Sequence, residues 1–199
     1  MIATESPSTA CQRDVACILD RIGPHASRRK RATLAVLVGL PGSGKSRIAE
    51  ALRSRTGAVA LESDELRRLL FPRRTYSPLE SQRLFAAIHA AIEQLLAERV
   101  SVILDATNLA ETERAPLYEI AERQGAKLVL AKVTAPAPVL RRRLARRGAT
   151  GASGSEADLR VYERMRSRVE EIQRPHYVVD TSQEIASVLA AIAKEMIGA

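Results

Sequence analysis

The 199-residue chain has no tryptophan, two phenylalanines, four tyrosines and two cysteines. So few aromatics leave little on which single-stranded bases could stack, which speaks against a protein that coats nucleic acid. Cys11 and Cys17 share one short segment, with no further Cys or His at ligand spacing. A disulfide framework and a zinc site are both disfavoured. No apolar run approaches the ~20 residues that span a bilayer, and the opening residues lack the basic start and apolar stretch of a secretory signal. The expected location is the cytoplasm, with no membrane partner. What remains, 46% hydrophobic and 27% charged residues, is the composition of an ordinary globular domain.

The formal net charge of +8 comes from 31 basic against 23 acidic residues, and 26 of the basic ones are arginine. Arginine's planar fork suits phosphate, so phosphorylated partners fit the balance, although charge alone selects none. Residues 1–32 read as an arm. Val15, Ile18, Leu19 and Ile22 recur at helical spacing, and His25 and Arg28 to Arg31 follow as a basic connector. From Thr33 onward, short apolar runs alternate with helical periods, the pattern of parallel strands joined by crossover helices. Five strands are predicted, at 33–38, 58–61, 100–104, 127–133 and 177–179. Leu84, Phe85, Ile88, Ile92, Leu95 and Leu96 make one helical stripe, and Ile185, Val188, Leu189, Ile192 and Met196 another. The expected domain is 33–199, carrying an arginine-rich lid over about 136–170 with a bland tip, Gly148 to Gly154.

The first predicted strand runs directly into Gly39-Leu40-Pro41-Gly42-Ser43-Gly44-Lys45-Ser46, a G-x-x-x-x-G-K-[ST] loop in the required strand-to-helix setting. Glycines let successive N–H groups curl toward phosphates, and the helix that follows presents its positive dipole end. Lys45 adds a point charge at the terminal phosphates, and Ser46 offers a hydroxyl to Mg²⁺. A dinucleotide fold is disfavoured, because Arg47 stands where its third glycine would be.

Asp105 closes the third predicted strand, where ligands of open parallel sheets bind, and is the candidate carboxylate for Mg²⁺. Asp64 follows the second strand, either as a helix N-cap together with Ser63 or as a base for an acceptor hydroxyl. Arg67, one helical turn later, is placed to anchor an anionic acceptor. Within the lid, Arg143 and Arg147 are the candidates for nucleotide contact.

Four segments together, Gly-Leu-Pro-Gly-Ser-Gly-Lys-Ser at 39–46, Ser-Asp-Glu-Leu-Arg at 63–67, Ile-Leu-Asp-Ala-Thr-Asn at 103–108 and Arg-Leu-Ala-Arg-Arg at 143–147, resemble the P-loop kinases grouped with polynucleotide 5'-hydroxyl kinases and zeta-toxin-like phosphotransferases. The resemblance spans about residues 33–181. It implies an α/β three-layer sandwich around a five-stranded parallel sheet in the order 2-3-1-4-5, with ATP and Mg²⁺ as cofactors and a hydroxyl-bearing acceptor. That acceptor is a polynucleotide end or a small molecule. In the kinases it resembles, the Asp matching Asp64 acts as base and the Arg matching Arg67 helps bind the acceptor. The competing reading is a nucleotide-switched module, in which ATP orders the lid to grip nucleic acid or protein.

Overall fold

The computed structural model describes residues 7–24, 28–150 and 159–198; the side chains of 7–8, 147–150 and 159 lie outside that description, as do most of the lid tip and His25. Strand β1 (Thr33–Val38) is buried at all six positions. An unbroken apolar run of this kind can only sit inside a sheet covered on both faces. It pairs in parallel with β3 (Val102–Asp105) on one side and β4 (Lys127–Thr134) on the other. β2 (Val59–Glu62) and β5 (Tyr177–Asp180) form the edges, giving the order β2-β3-β1-β4-β5. The parallel strands joined by helices are those the sequence pattern predicts, and the three-layer sandwich with its strand order is the one the resemblance implies.

Boundaries shift by a residue or two. Val100 is not in β3 but makes an isolated antiparallel bridge to Arg28. Glu62 joins β2 and is itself the N-cap of the next helix, so neither Ser63 nor Asp64 caps it. Both stand in its first turn.

On one face lie α2 (Lys45–Thr56) and α8 (Ala186–Ile197), whose Ile48, Leu52, Leu189, Ile192 and Met196 meet Leu37 and Val129 of the sheet. The other face is covered by α3 (Ser63–Leu70), α4 (Pro78–Ala97) and α5 (Glu111–Arg123). Leu84, Ile88, Ile92 and Leu95 of α4 are almost wholly buried there, as their spacing predicts. The same cluster takes in α1 (Pro7–Ile22) through Val15 and Ile18. Asp14 and Arg83 tie α1 to α4 with paired contacts of 2.6 and 2.8 Å. The N-terminal helix is thus part of the core.

The basic connector serves the amino end of the sheet: Arg29 donates to the carbonyl of Thr56 at 2.6 Å and Arg31 to that of Gly125 at 2.9 Å. The carboxyl end is different. β1 and β4 are neighbours whose following connections leave in opposite directions, so a crevice opens between their ends. Over it lie α6 (Ala137–Thr150) and α7 (Leu159–Arg166). They share a small cluster of their own, Ala135, Leu140, Leu144 and Tyr162, against which Leu40 packs.

Candidate active site

The loop from Gly39 to Ser46 fills that crevice. Gly39 admits no side chain, since a Cβ there would stand 2.3 Å from the carbonyl oxygen of Val133. Gly42 and Gly44 take φ of 81° and 99°, a region that side chains disfavour. Gly44 caps α2 without a side chain, and the first helical bond runs from Ile48 N–H to Gly44 O at 3.1 Å. The N–H groups of Lys45, Ser46 and Arg47 therefore belong to the turn that a helix leaves without intrahelical partners. Lys45 is buried and donates to the carbonyls of Gly39 at 2.9 Å and Leu40 at 3.2 Å, lying back along its own loop. The hydroxyl of Ser43 is buried with no hydrogen-bond partner among the described residues. A buried polar atom in that condition is costly unless a ligand or water completes it. Within the loop Pro41 is buried, and Ser46 is exposed at the start of α2.

Two neighbouring structures hold the loop in shape. From the β3–α5 connection, Thr107 O accepts from Gly39 N–H at 3.0 Å, and Asn108, itself at φ 48°, donates through Nδ2 to Leu37 O at 2.8 Å. From the far side, Thr181 after β5 donates to Ser43 O at 2.7 Å. Arg143 of α6 donates to Thr181 Oγ1 at 2.7 Å and Thr181 O at 3.0 Å, and more weakly to Gly42 O at 3.3 Å. Gly42, Gly44, Arg47, Arg143, Thr181 and Ile185 line a cleft of about 350 Å³ beside the loop. Arg147 lies one turn beyond Arg143 on the same helix, with its side chain outside the described residues.

Facing the loop are acidic groups. Asp105, 4% exposed, closes β3 in register with Glu62 at the end of β2. Burial, and then the charges of Asp105 and Asp64, push the Glu62 carboxyl above its ordinary pKa. Those three carboxylates accordingly occupy one neighbourhood. Asp64 is half-buried in the first turn of α3. The hydroxyl of Ser46, the carboxylate of Asp105 and the loop amides form an oxygen-and-amide donor set of the kind that Mg²⁺ with nucleotide phosphates requires. The residues present fit both groups.

Arg67 is brought to the same side of the sheet but does not stand open. Its guanidinium is buried, bonded to Glu80, and donates to Ser81 Oγ at 3.2 Å. It enters the site as a cation already matched by a carboxylate. The sequence reading missed Arg114, 0% exposed, which donates to the carbonyls of Asn108 at 2.9 Å, Leu109 at 2.7 Å and Glu171 at 3.1 Å. It ties the Asp105–Asn108 connection to the segment that follows α7. Its near acceptors are backbone carbonyls that leave no residue signature, and the carbonyl of Glu171 is brought in from 57 residues away. Thr181 escaped for the same reason.

The chain matches the model of a family described as AAA domain over residues 34–172, more than two thirds of its length. A comparison with curated proteins finds no match. Among solved structures, Kti12 of Chaetomium thermophilum in complex with ADP-AlF3 is similar at 20% identity, with 82% of this chain and 98% of that one covered and a TM-score of 0.68. The APS kinase of Mycobacterium tuberculosis in complex with AMPPNP and APS shares 19% identity over 86% of this chain and all (100%) of that one, with a TM-score of 0.62. A gluconokinase of Sinorhizobium meliloti shares 24% identity over 86% and 92%, with a TM-score of 0.57. At these identities the likeness is one of fold.

Proposed function

The chain belongs to the AAA-domain family whose model it matches, and on that premise we propose that it is an ATP-dependent phosphotransferase acting on a hydroxyl acceptor. The observation that carries this reading is the pairing of a phosphate-shaped loop with a half-buried carboxylate, Asp64, across the carboxyl end of one sheet. The solved kinases of like fold support the same direction.

In this account Gly39 to Ser46 cradle the phosphates, and Lys45 swings from the carbonyls of Gly39 and Leu40 onto the β- and γ-phosphates. Ser46 and Asp105 would hold Mg²⁺, which when bound would neutralise charge on the phosphate oxygens. Asp64 accepts the proton of the acceptor hydroxyl as its oxygen bonds to the γ-phosphorus and the bond to the β–γ bridging oxygen breaks, releasing ADP. Arg67 steadies the acceptor end. Arg143 and Arg147, one turn apart on α6, supply charge from the nucleotide side.

Asp64→Asn should keep nucleotide affinity and lower phosphate transfer by about 100- to 10,000-fold, the usual span for a general base. Lys45→Ala should instead weaken nucleotide binding itself. Calorimetric titration with nucleotide beside a transfer assay separates the two. Transfer by Asp64→Asn at the wild-type rate would remove Asp64 from the role of base.

A further inference from the structure

Thr181 is the first residue past β5, and the sheet itself fixes its place. Its N–H donates to Thr134 O at 2.9 Å, extending the parallel pairing in which Thr134 lies opposite Asp180. From that anchor it reaches the phosphate loop with both branches of its side chain. The methyl group packs against Gly44, where an added Cβ would stand 3.2 Å from it. The hydroxyl carries one proton and has two carbonyl oxygens within reach, Ser43 O at 2.7 Å and Thr134 O at 3.2 Å. Thr134 O is already served by the Thr181 N–H, so the proton belongs to Ser43 O, the nearer of the two.

A peptide unit is planar and trans, so fixing Ser43 O also fixes the Gly44 N–H, which points the opposite way. Among the described residues that N–H has no hydrogen-bond partner. Gly44 is the N-cap of α2, which places its N–H among the loop amides available to phosphate.

The same hydroxyl also accepts. Arg143 Nη1 donates to it at 2.7 Å, while Nη2 holds Thr181 O at 3.0 Å. A hydroxyl that accepts from a cation becomes a better donor, so Arg143, Thr181 and Ser43 O form a polarised chain from α6 to the loop. Helix α6 also lies directly on the loop, since a Cβ at Gly42 would come within 3.1 Å of Leu144 Cγ. A shift of α6 would therefore alter the Thr181 hydroxyl and the packing over Gly42 together.

Resting on the nucleotide site of the phosphotransferase reading, we propose that Thr181 is a positioning residue for phosphate transfer. Its hydroxyl, polarised by Arg143, turns the Gly44 N–H toward the nucleotide phosphates and so couples the placement of α6 to the shape of the loop.

The test is binding of ADP with Mg²⁺, which does not depend on transfer. Calorimetry compares wild type, Thr181→Val, Thr181→Ser, Arg143→Met and the double variant Thr181→Val with Arg143→Met. Valine keeps the shape and removes the hydroxyl, serine keeps the hydroxyl, and thermal melting without nucleotide verifies each fold. Thr181→Val should weaken binding about 5- to 150-fold, the effect of stranding one buried acceptor, and Thr181→Ser should stay within about 3-fold of wild type. The double variant should lose less than the product of the two single losses, because Arg143 acts in part through Thr181. A threonine that only supported the fold would lower Tm and leave that coupling absent. If Thr181→Val melts too low to titrate, Thr181→Ala against Thr181→Ser makes the same comparison of hydroxyl absent and present. Binding by the hydroxyl-free variant within about 2-fold of its hydroxyl-bearing counterpart, or single losses that simply multiply, overturns the proposal. Wild type that binds no ADP overturns the nucleotide reading along with it. The expected binding pattern, with ATP yielding only free phosphate, leaves Thr181 in its role and overturns transfer to an acceptor.

Discussion

Glu80 is the carboxylate on which acid should act. Burial alone would raise its pKa, but the N–H and hydroxyl of Thr75 and the guanidinium of Arg67 outweigh burial and hold it at about 2, against an ordinary 4.5. A depressed folded pKa means that the ionised form is favoured in the folded state. The stability it lends is fully present above about pH 4.5 and is lost as pH falls toward about 2. Urea unfolding of wild type should therefore show a loss across that window. In Glu80→Gln the dependence should be flatter, and a wild-type slope in the variant would contradict the assignment. His89 acts in the same sense near neutrality, because burial lowers its pKa and keeps the ring neutral in the folded state.

Arg114 connects two elements that are far apart in sequence, the β3–α5 turn and the return from α7 to β5. Replacing it with methionine strands several buried carbonyls, each worth roughly 1–3 kcal/mol of desolvation. Arg114→Met should thus cost at least about 3 kcal/mol in urea unfolding, and Arg114→Lys should recover part of it. A loss within about 0.5 kcal/mol, as at an ordinary surface position, would show that the tie is dispensable. At this scale the sequence was most readable where signals are local. The apolar run 33–38, the glycines of 39–44 and the stripe from Leu84 to Leu96 each specify an element from within, so the strands and the phosphate loop were legible, whereas the strand order followed only from the resemblance to P-loop kinases. The positions of Asp105, which ends β3, and Asp64, in the helical turn just after β2, were legible because the carboxyl ends of parallel strands point at one crevice. Arg67 was legible as a position, not as a partner of Glu80, 13 residues away and in the next helix. The roles of Thr181 and Arg114 depend on contacts that only the folded chain creates. Helix α1 was legible as amphipathic, but its burial against α4 was not, since an apolar face does not name what covers it.

For the molecule as a whole, the +8 charge says less than it first suggests. Arg141 pairs with Glu163, Arg168 with Glu113, Arg123 with Glu93 and Arg21 with Glu65, all largely exposed pairs of the kind that contribute little to stability. The arginines that matter to the account are Arg114 and Arg143, bonded to backbone carbonyls, and Arg67, paired with the buried Glu80. Nucleotide binding should be visible in global stability. Nucleotide with Mg²⁺ at about 100 times its Kd adds about 2.7 kcal/mol, or roughly 5–10 °C in Tm for a chain of this size. Lys45→Ala at the same concentrations should show a much smaller shift, and an unchanged shift would place the nucleotide elsewhere.

The central claim is that this site moves phosphate from ATP to a hydroxyl rather than to water, and product accounting addresses it directly. ATP labelled at the γ-phosphate is incubated with Mg²⁺, a 5'-hydroxyl oligonucleotide or a nucleoside 3'-monophosphate, and either wild type or Asp64→Asn, and ADP, free phosphate and labelled acceptor are counted in the same tubes. The account predicts one labelled acceptor per ADP with wild type, and label lost with Asp64→Asn. Free phosphate equal to ADP, the same in both proteins and with no labelled acceptor, would contradict it.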